Sequence, residues 1–258
     1  MQNQFSRTQL LLGKPAMETL ANSRVAVFGV GGVGGYAVEV LARSGVGAID
    51  IIDDDRICMT NINRQIIALL STVGKYKVDV AEQRIHDINR KCTVRKYQMF
   101  YLPDKADEFP LEEYDYVVDC IDTVTAKIDL IRRCHDLNIP IISCMGAANK
   151  LDATAFRVAD ISKTEMDPLA KVIRKKLRKL GIPHLKVVYS TEPPLTPIEQ
   201  EEISCRFHCI CPDKNMRKCT ERRTIPASNA FVPAAAGLIV GGEVVKDLIN
   251  IAGTMRMV

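Results

Sequence analysis

Gly29, Gly31, Gly32 and Gly34 lie within the stretch Arg24–Gly35, between a short apolar run and the start of a helical pattern. A strand that turns through glycines into a helix aims backbone N–H groups and a helix N-terminus at one spot, where phosphate oxygens can sit. The glycines allow a tight turn, close backbone approach to a phosphate and close packing of helix on strand. Asp53 closes the next apolar run, near the ~20-residue spacing at which such loops carry a ribose-binding carboxylate. Asp54 and Asp55 follow it directly. Three adjacent carboxylates at a strand's carboxyl end are costly unless cations or hydroxyls meet them. The loop Thr60–Gln65 brings Asn61, Arg64 and Gln65, amides and a guanidinium grouped as if to grip a ligand. Lys77 stands on the first turn of a helix, where it opposes the helix dipole and is either a mild blemish or a phosphate ligand. Asp122 is a further carboxylate at a strand's carboxyl end, the edge at which open parallel sheets bind ligands.

The elements that must hold these groups alternate. Val25–Phe28, Ala48–Ile52, Tyr116–Cys120 and Ile139–Ser143 read as buried strands. Tyr36–Ala42, Lys75–Asn89 and Val124–Leu137 read as helices, the second with Val78, Ala81, Ile85 and Ile88 on one face. This alternation predicts an α/β fold, a doubly wound Rossmann-like sheet that is parallel in its first half with flanking helices. Beyond Leu151, Ala155–Val158 and Val187–Ser190 read as strands with longer connections, a mixed second half of the same sheet. Phe5–Asn22 reads as one or two short helices broken near Gly13 and Pro15, and Phe231–Ile251 as an apolar helix packed tightly on the sheet through its glycines. The expected organisation is a single domain over 1–258. Within it lie an N-terminal helical arm (1–23), a nucleotide-binding half (24–150) and a substrate-binding half (151–258), the last with a Cys-rich insertion at 191–224.

The chain has 258 residues, 47% hydrophobic and 26% charged, enough for a sizeable core and ordinary for a globular protein. A formal net charge of +4 is too mild to argue for nucleic acid by itself. Nine cysteines with no apolar leader in Met1–Leu12 point to a reducing cytoplasm and free thiols. The apolar run Ile225–Gly242 is interrupted by Pro226, Ser228, Asn229 and Pro233, so a buried helix is expected there and no stable membrane span. Cys205, Cys209, Cys211 and Cys219 offer four thiols for zinc, but their spacing lacks paired CxxC knuckles, and free cysteines are the alternative. The helix Pro168–Leu180 has Leu169, Val172, Ile173, Leu177 and Leu180 on one face. Lys171, Arg174, Lys175, Arg178 and Lys179 lie opposite, a solvated face or a surface for a polyanion. Arg7, in the first short helix, reads by itself as a solvated residue.

Taken together, Gly29–Gly34, Asp53 and Asp55, Asn61, Arg64 and Gln65, Lys77 and Asp122 resemble the adenylating family of ubiquitin-activating enzymes and their bacterial relatives, which activate carboxylates with ATP. The resemblance implies that Asp53 holds the ribose, that Asn61, Arg64 and Lys77 contact the phosphates, and that Asp122 coordinates Mg²⁺. Arg7 matches the arginine that family members insert into the partner subunit's site, which implies a homodimer. Asp160–Ala170, Val188–Glu192 and Ile225–Pro233 resemble the branch of the family that cyclises the threonylcarbamoyl group on the tRNA adenosine 3′ of the anticodon. That branch implies tRNA as substrate and leaves room for a sulfur-transfer or cysteine desulfurase partner; for a tRNA, the charge pattern of Lys171, Arg174, Lys175, Arg178 and Lys179 offers a docking face. The alternative within the family is an adenylyltransferase acting on the C-terminus of a ubiquitin-like sulfur carrier. Outside it stands an NAD-dependent oxidoreductase or a nucleotide-binding regulator using only the dinucleotide fingerprint, which leaves Asn61, Arg64 and Lys77 unexplained.

Overall fold

The computed structural model describes residues 2–198, 200–203 and 226–255. Cys205, Cys209, Cys211 and Cys219 lie outside the described residues, and with them the zinc expectation. Two short helices, α1 (Ser6–Leu12) and α2 (Lys14–Asn22), break at Gly13, whose φ of +89° a side chain would resist. There follow β1 (Arg24–Phe28), α3 (Gly34–Ser44), β2 (Ala48–Ile52), α4 (Lys77–Ile88), β3 (Thr93–Tyr97), β4 (Tyr116–Asp119), α5 (Val124–Asp136) and β5 (Ile141–Cys144). The second half adds β6 (Phe156–Asp160), α6 (Pro168–Lys179), β7 (Lys186–Ser190) and the long α7 (Val232–Ile251).

The seven strands form one sheet in the order β3-β2-β1-β4-β5-β7-β6. Every pairing is parallel except β6 on β7, so the mixed second half is confined to one edge. The expected α/β doubly wound architecture is thus present. Val25, Ala26, Val27 and Phe28 of β1 are all fully buried, because helices cover both faces of the central strands. On one face α3, α4 and α7 close over Val25, Val27, Ile49 and Ile51. On the other, α5 and the aromatic group Phe28, Tyr101 and Phe109 meet edge to face, with Phe28 and Tyr101 centroids 5.3 Å apart.

Three details depart from the sequence reading. β3 was not foreseen, because Thr93, Arg95 and Lys96 are exposed on an edge strand that leaves no apolar run to find. In α6 the buried face is Ala170, Ile173 and Leu177, while Val172 and Leu180 are 43% and 48% exposed. A helix lying on one layer buries a narrower stripe than the five apolar positions suggest. α7 packs on α3 as well as on the sheet. A Cβ on Gly237 would stand 2.3 Å from the Val33 carbonyl oxygen, and one on Gly241 would stand 2.6 Å from Val40 Cβ, so two helix axes approach where only glycine fits. Among the described residues no helix is long and apolar enough to cross a membrane.

Candidate active site

The sheet's strand order reverses between β1 and β4, and the glycine loop runs over that crevice. Gly29 has φ +90° and its missing side chain would strike the Cys120 carbonyl at 2.8 Å. A Cβ on Gly34 would overlap the Gly29 carbonyl oxygen at 1.8 Å, so the first turn of α3 closes on the loop itself. Backbone bonds fasten the loop to its neighbours: Gly29 N–H donates to the Ile52 carbonyl at 2.8 Å, and Cys120 N–H donates to the Phe28 carbonyl at 2.8 Å. The N-terminus of α3 carries no acidic residue in its first turn, and its dipole is left to meet an anion.

Asp53, at the end of β2, does two local jobs. Its Oδ2 accepts from Val30 N–H at 2.7 Å, pinning the glycine loop, and its Oδ1 accepts from Asp55 N–H at 3.0 Å. The carboxylate oxygens of Asp53, Asp54 and Asp55 come within 4.8 Å of one another. Such crowding is relieved by Lys77, whose Nζ lies 2.6 Å from Asp55 and 3.3 Å from Asp53. Burial alone would lower the Lys77 pKa; Asp53 and then Asp55 outweigh it, and the ammonium is held above its ordinary value. The lysine foreseen as a phosphate ligand is therefore seated on the acidic cluster, only 4% exposed, one residue beyond the Arg56–Tyr76 cation–π stack. The chain's own cation thus pairs with two of the three carboxylates, Asp53 and Asp55.

The polar loop forms the next wall. The Asn61 side-chain oxygen accepts from Cys58 N–H at 3.1 Å, shaping the turn. Arg64 donates to the Thr60 carbonyl and to Asn63, and its stem lies against the glycine loop: a Cβ on Gly32 would stand 3.4 Å from Arg64 Cγ. Gln65 is buried behind Gly31, and its Oε1 has no hydrogen-bond partner among the described residues. Asp122 is exposed at the end of β4, with Thr123 Oγ1 donating to it at 3.3 Å. The structure thus brings the four glycines, Asp53, Asp55, Asn61, Arg64, Gln65, Lys77 and Asp122 around one crevice. A helix N-terminus behind the glycine loop and the cations of Arg64 and Lys77 are groups that can meet the phosphates of a nucleotide.

Arg7 and the basic helix lie apart from it. Arg7 is exposed on α1, and the preceding Phe5 packs beside Gly45, at the end of α3 opposite the glycine loop. Lys171, Lys175, Arg178 and Lys179 are exposed on α6. Arg174 departs from the expected shared face: its Nη1 donates to the Ile161 carbonyl and to the Thr164 carbonyl and hydroxyl, tying α6 to the preceding turn.

The sequence reading did not place two further parts at the site. The segment Pro226–Pro233 closes over the polar loop: Asn63 donates to the Ser228 carbonyl at 3.1 Å, Asn229 donates to the Lys150 carbonyl, and Pro233 Cβ lies 3.3 Å from where a Gly32 Cβ would be. Beneath the crevice, Lys127 and Asp119 form a fully buried ion pair at 2.7 Å. Lys127 shares a helix face with Leu130, Ile131 and Cys134, and a lone lysine in an apolar stripe was the available signal.

The parallel sheet, its switch point and the glycine loop are those of a nucleotide-binding α/β protein. The chain belongs to the ThiF family, whose model matches residues 5–256. It is 50% identical to a tRNA threonylcarbamoyladenosine dehydratase of Bacillus subtilis over 97% of this chain and 96% of that protein. Its fold matches the Escherichia coli tRNA N6-threonylcarbamoyladenosine dehydratase solved with ATP, with a TM-score of 0.83, 32% identity, and 97% of this chain and 95% of that chain covered. An adenylyltransferase and sulfurtransferase of Vanderwaltozyma polyspora is 36% identical over only 51% of this chain and 30% of its own length.

Proposed function

We infer that this chain is an ATP-dependent tRNA threonylcarbamoyladenosine dehydratase. The observation that carries the reading is likeness along nearly the whole chain, 50% identity over 97% of it. The carboxylate of the threonylcarbamoyl group attacks the α-phosphorus of ATP, giving an acyl-adenylate and pyrophosphate. The neighbouring amide nitrogen of the same group then attacks the activated carbonyl, a ring closes and AMP leaves, so the nucleoside loses one water. Such a transfer needs positioning and cations rather than a protein nucleophile.

Within this reading the glycine loop and the α3 N-terminus cradle phosphates, Asp53 meets the ribose, and Asn61, Arg64 and Gln65 line the triphosphate. Lys77 serves by exchanging one carboxylate partner for a phosphate oxygen. Asp122 would hold Mg²⁺, whose hard charge suits carboxylate and phosphate oxygens and offsets the charge developing on them. Arg7 completes the site of a second copy in a homodimer. The support is that α1 buries none of its own residues and leaves Leu10 and Leu11 81% and 70% exposed. Arg7→Ala mixed with Asp122→Ala should then recover activity that neither variant has alone, and no recovery in verified heterodimers would remove Arg7 from the site. Lys171, Lys175, Arg178 and Lys179 meet tRNA phosphates, which puts the enzyme in the cytoplasm with its substrate. Replacing Lys175, Arg178 and Lys179 by Gln should flatten the salt dependence of tRNA binding by about two to three units, with ATP binding unchanged.

The reaction itself is tested by nucleoside mass spectrometry of tRNA incubated with enzyme and ATP. The modified adenosine should lose one water in an ATP-dependent manner. Intact threonylcarbamoyladenosine beside an adenylated sulfur carrier would overturn the assignment.

A further inference from the structure

Lys127 contacts neither the crevice nor solvent, yet it is bound to everything beneath Asp122. Its Nζ donates to Asp119 Oδ2 at 2.7 Å, to Ser143 Oγ at 3.0 Å and to the Cys144 carbonyl at 3.0 Å. Ser143 Oγ donates to the same Asp119 Oδ2 at 2.6 Å, leaving the carboxylate's other oxygen, Oδ1, to accept from Ile121 N–H at 3.1 Å. Ile121 is the residue before Asp122. The next peptide back, Cys120, presses its carbonyl against Gly29. One buried ammonium thus joins the ends of β4 and β5 to the short segment that shows Asp122 to the crevice and props up the glycine loop. Lys127, Asp119 and Ser143 are all 0% exposed, so no water can substitute for a lost partner.

We propose that Lys127 is a positioning residue for nucleotide-bound Mg²⁺: through Asp119 and the Ile121 amide it fixes the Asp122 carboxylate where the metal and the glycine loop require it. The proposal rests on the reading of Asp122 as the Mg²⁺ ligand. A packing role alone would weaken ATP binding with Mg²⁺ and ATP binding without it together. A positioning role separates them, because the glycine loop, Arg64 and Lys77 bind ATP without the metal, whereas Asp122 contributes only with it. Groups that orient a metal-binding carboxylate typically change metal affinity by roughly tenfold or more when removed.

The test is calorimetric titration of ATP into the full-length protein with and without Mg²⁺. Wild type should bind ATP more tightly with Mg²⁺ than without. If it does not, the reading of Asp122 fails first, and it does so independently of Lys127. Lys127→Met should lose roughly tenfold of the Mg²⁺-dependent tightening, while Mg²⁺-free ATP affinity stays within about threefold of wild type. A folded Lys127→Met protein with the full Mg²⁺ effect overturns the proposal, as does an equal loss in both titrations. Where Lys127→Met does not fold, Ser143→Ala decides, since it keeps the ion pair and removes one of the groups holding Asp119. A smaller but measurable loss confined to the Mg²⁺ titration supports the proposal, and an unchanged Mg²⁺ effect overturns it.

Discussion

On each side of the sheet's switch point a lysine from the helix after a strand reaches carboxylates at that strand's end. Lys77 meets Asp53 and Asp55 after β2, and Lys127 meets Asp119 after β4. The pairs differ in their access to water. Asp55 keeps 40% of its side chain exposed, whereas Asp119 and Lys127 keep none. An ion pair with one wet partner can open for a ligand, because water and phosphate compensate for what it gives up. A dry pair has no such compensation, and breaking it strands a charge. On the proposed reading, the same two residue types serve a working role at one site and a fixing role at the other.

This contrast is sharpest in stability. Lys127→Met should cost about 3–5 kcal/mol, the usual penalty for removing one partner of a buried pair. Denaturant unfolding measures it, and a cost no larger than that of the corresponding change at Lys77 would erase the distinction. Catalysis should show the reverse order. Lys77→Met should lower kcat/KM by roughly 10²–10³, the scale for losing one cation aimed at developing charge, and should exceed the effect of Lys127→Met on the same reaction. Steady-state tRNA dehydration with ATP varied checks both variants.

Protonation sharpens the Lys77 side further. A lysine held above its ordinary value in the folded state adds stability below its unfolded pKa and loses it as pH rises through the folded one. The stability gap between wild type and Lys77→Met should therefore stay constant from about pH 7 to 9 and narrow above about 10.5. Unfolding curves across that range read it directly, and a gap that grows with pH would contradict the pairing. The smallest effect belongs to the wet partner. Asp55→Asn should change stability by less than about 1 kcal/mol, since its pair with Lys77 is partly solvated and Asp53 keeps the ammonium company. A larger loss would mean that the pair on the β2 side is as closed as the one on the β4 side.

What the sequence disclosed follows the same division. Glycines and strand-end carboxylates mark the crevice because their cost is local: Gly29 needs its positive φ, and three consecutive aspartates need a cation wherever they lie. Strands buried on both faces announced themselves as continuous apolar runs. β3 did not, because an edge strand in water needs no apolar pattern. The union of Asp119, Lys127 and Ser143 draws on three elements, and only packing brings them together. Arg174 shows the converse error. Its charge and spacing matched a solvated basic face, but nearby carbonyls of the turn before α6 claimed its guanidinium.

The close seat of α7 on α3 has a consequence for the order in which the protein is made. β1, the glycine loop and α3 leave the ribosome early, yet the surface of α3 is shaped for Gly237 and Gly241, the polar loop is bonded to Ser228, and Pro233 lies against Gly32 of the glycine loop. A nascent chain that already contains the glycine loop, Arg64 and Lys77 still lacks the helix packed against α3. ATP affinity should therefore arise only once the residues of α7 have been synthesised, making nucleotide binding a report on completed translation of the domain.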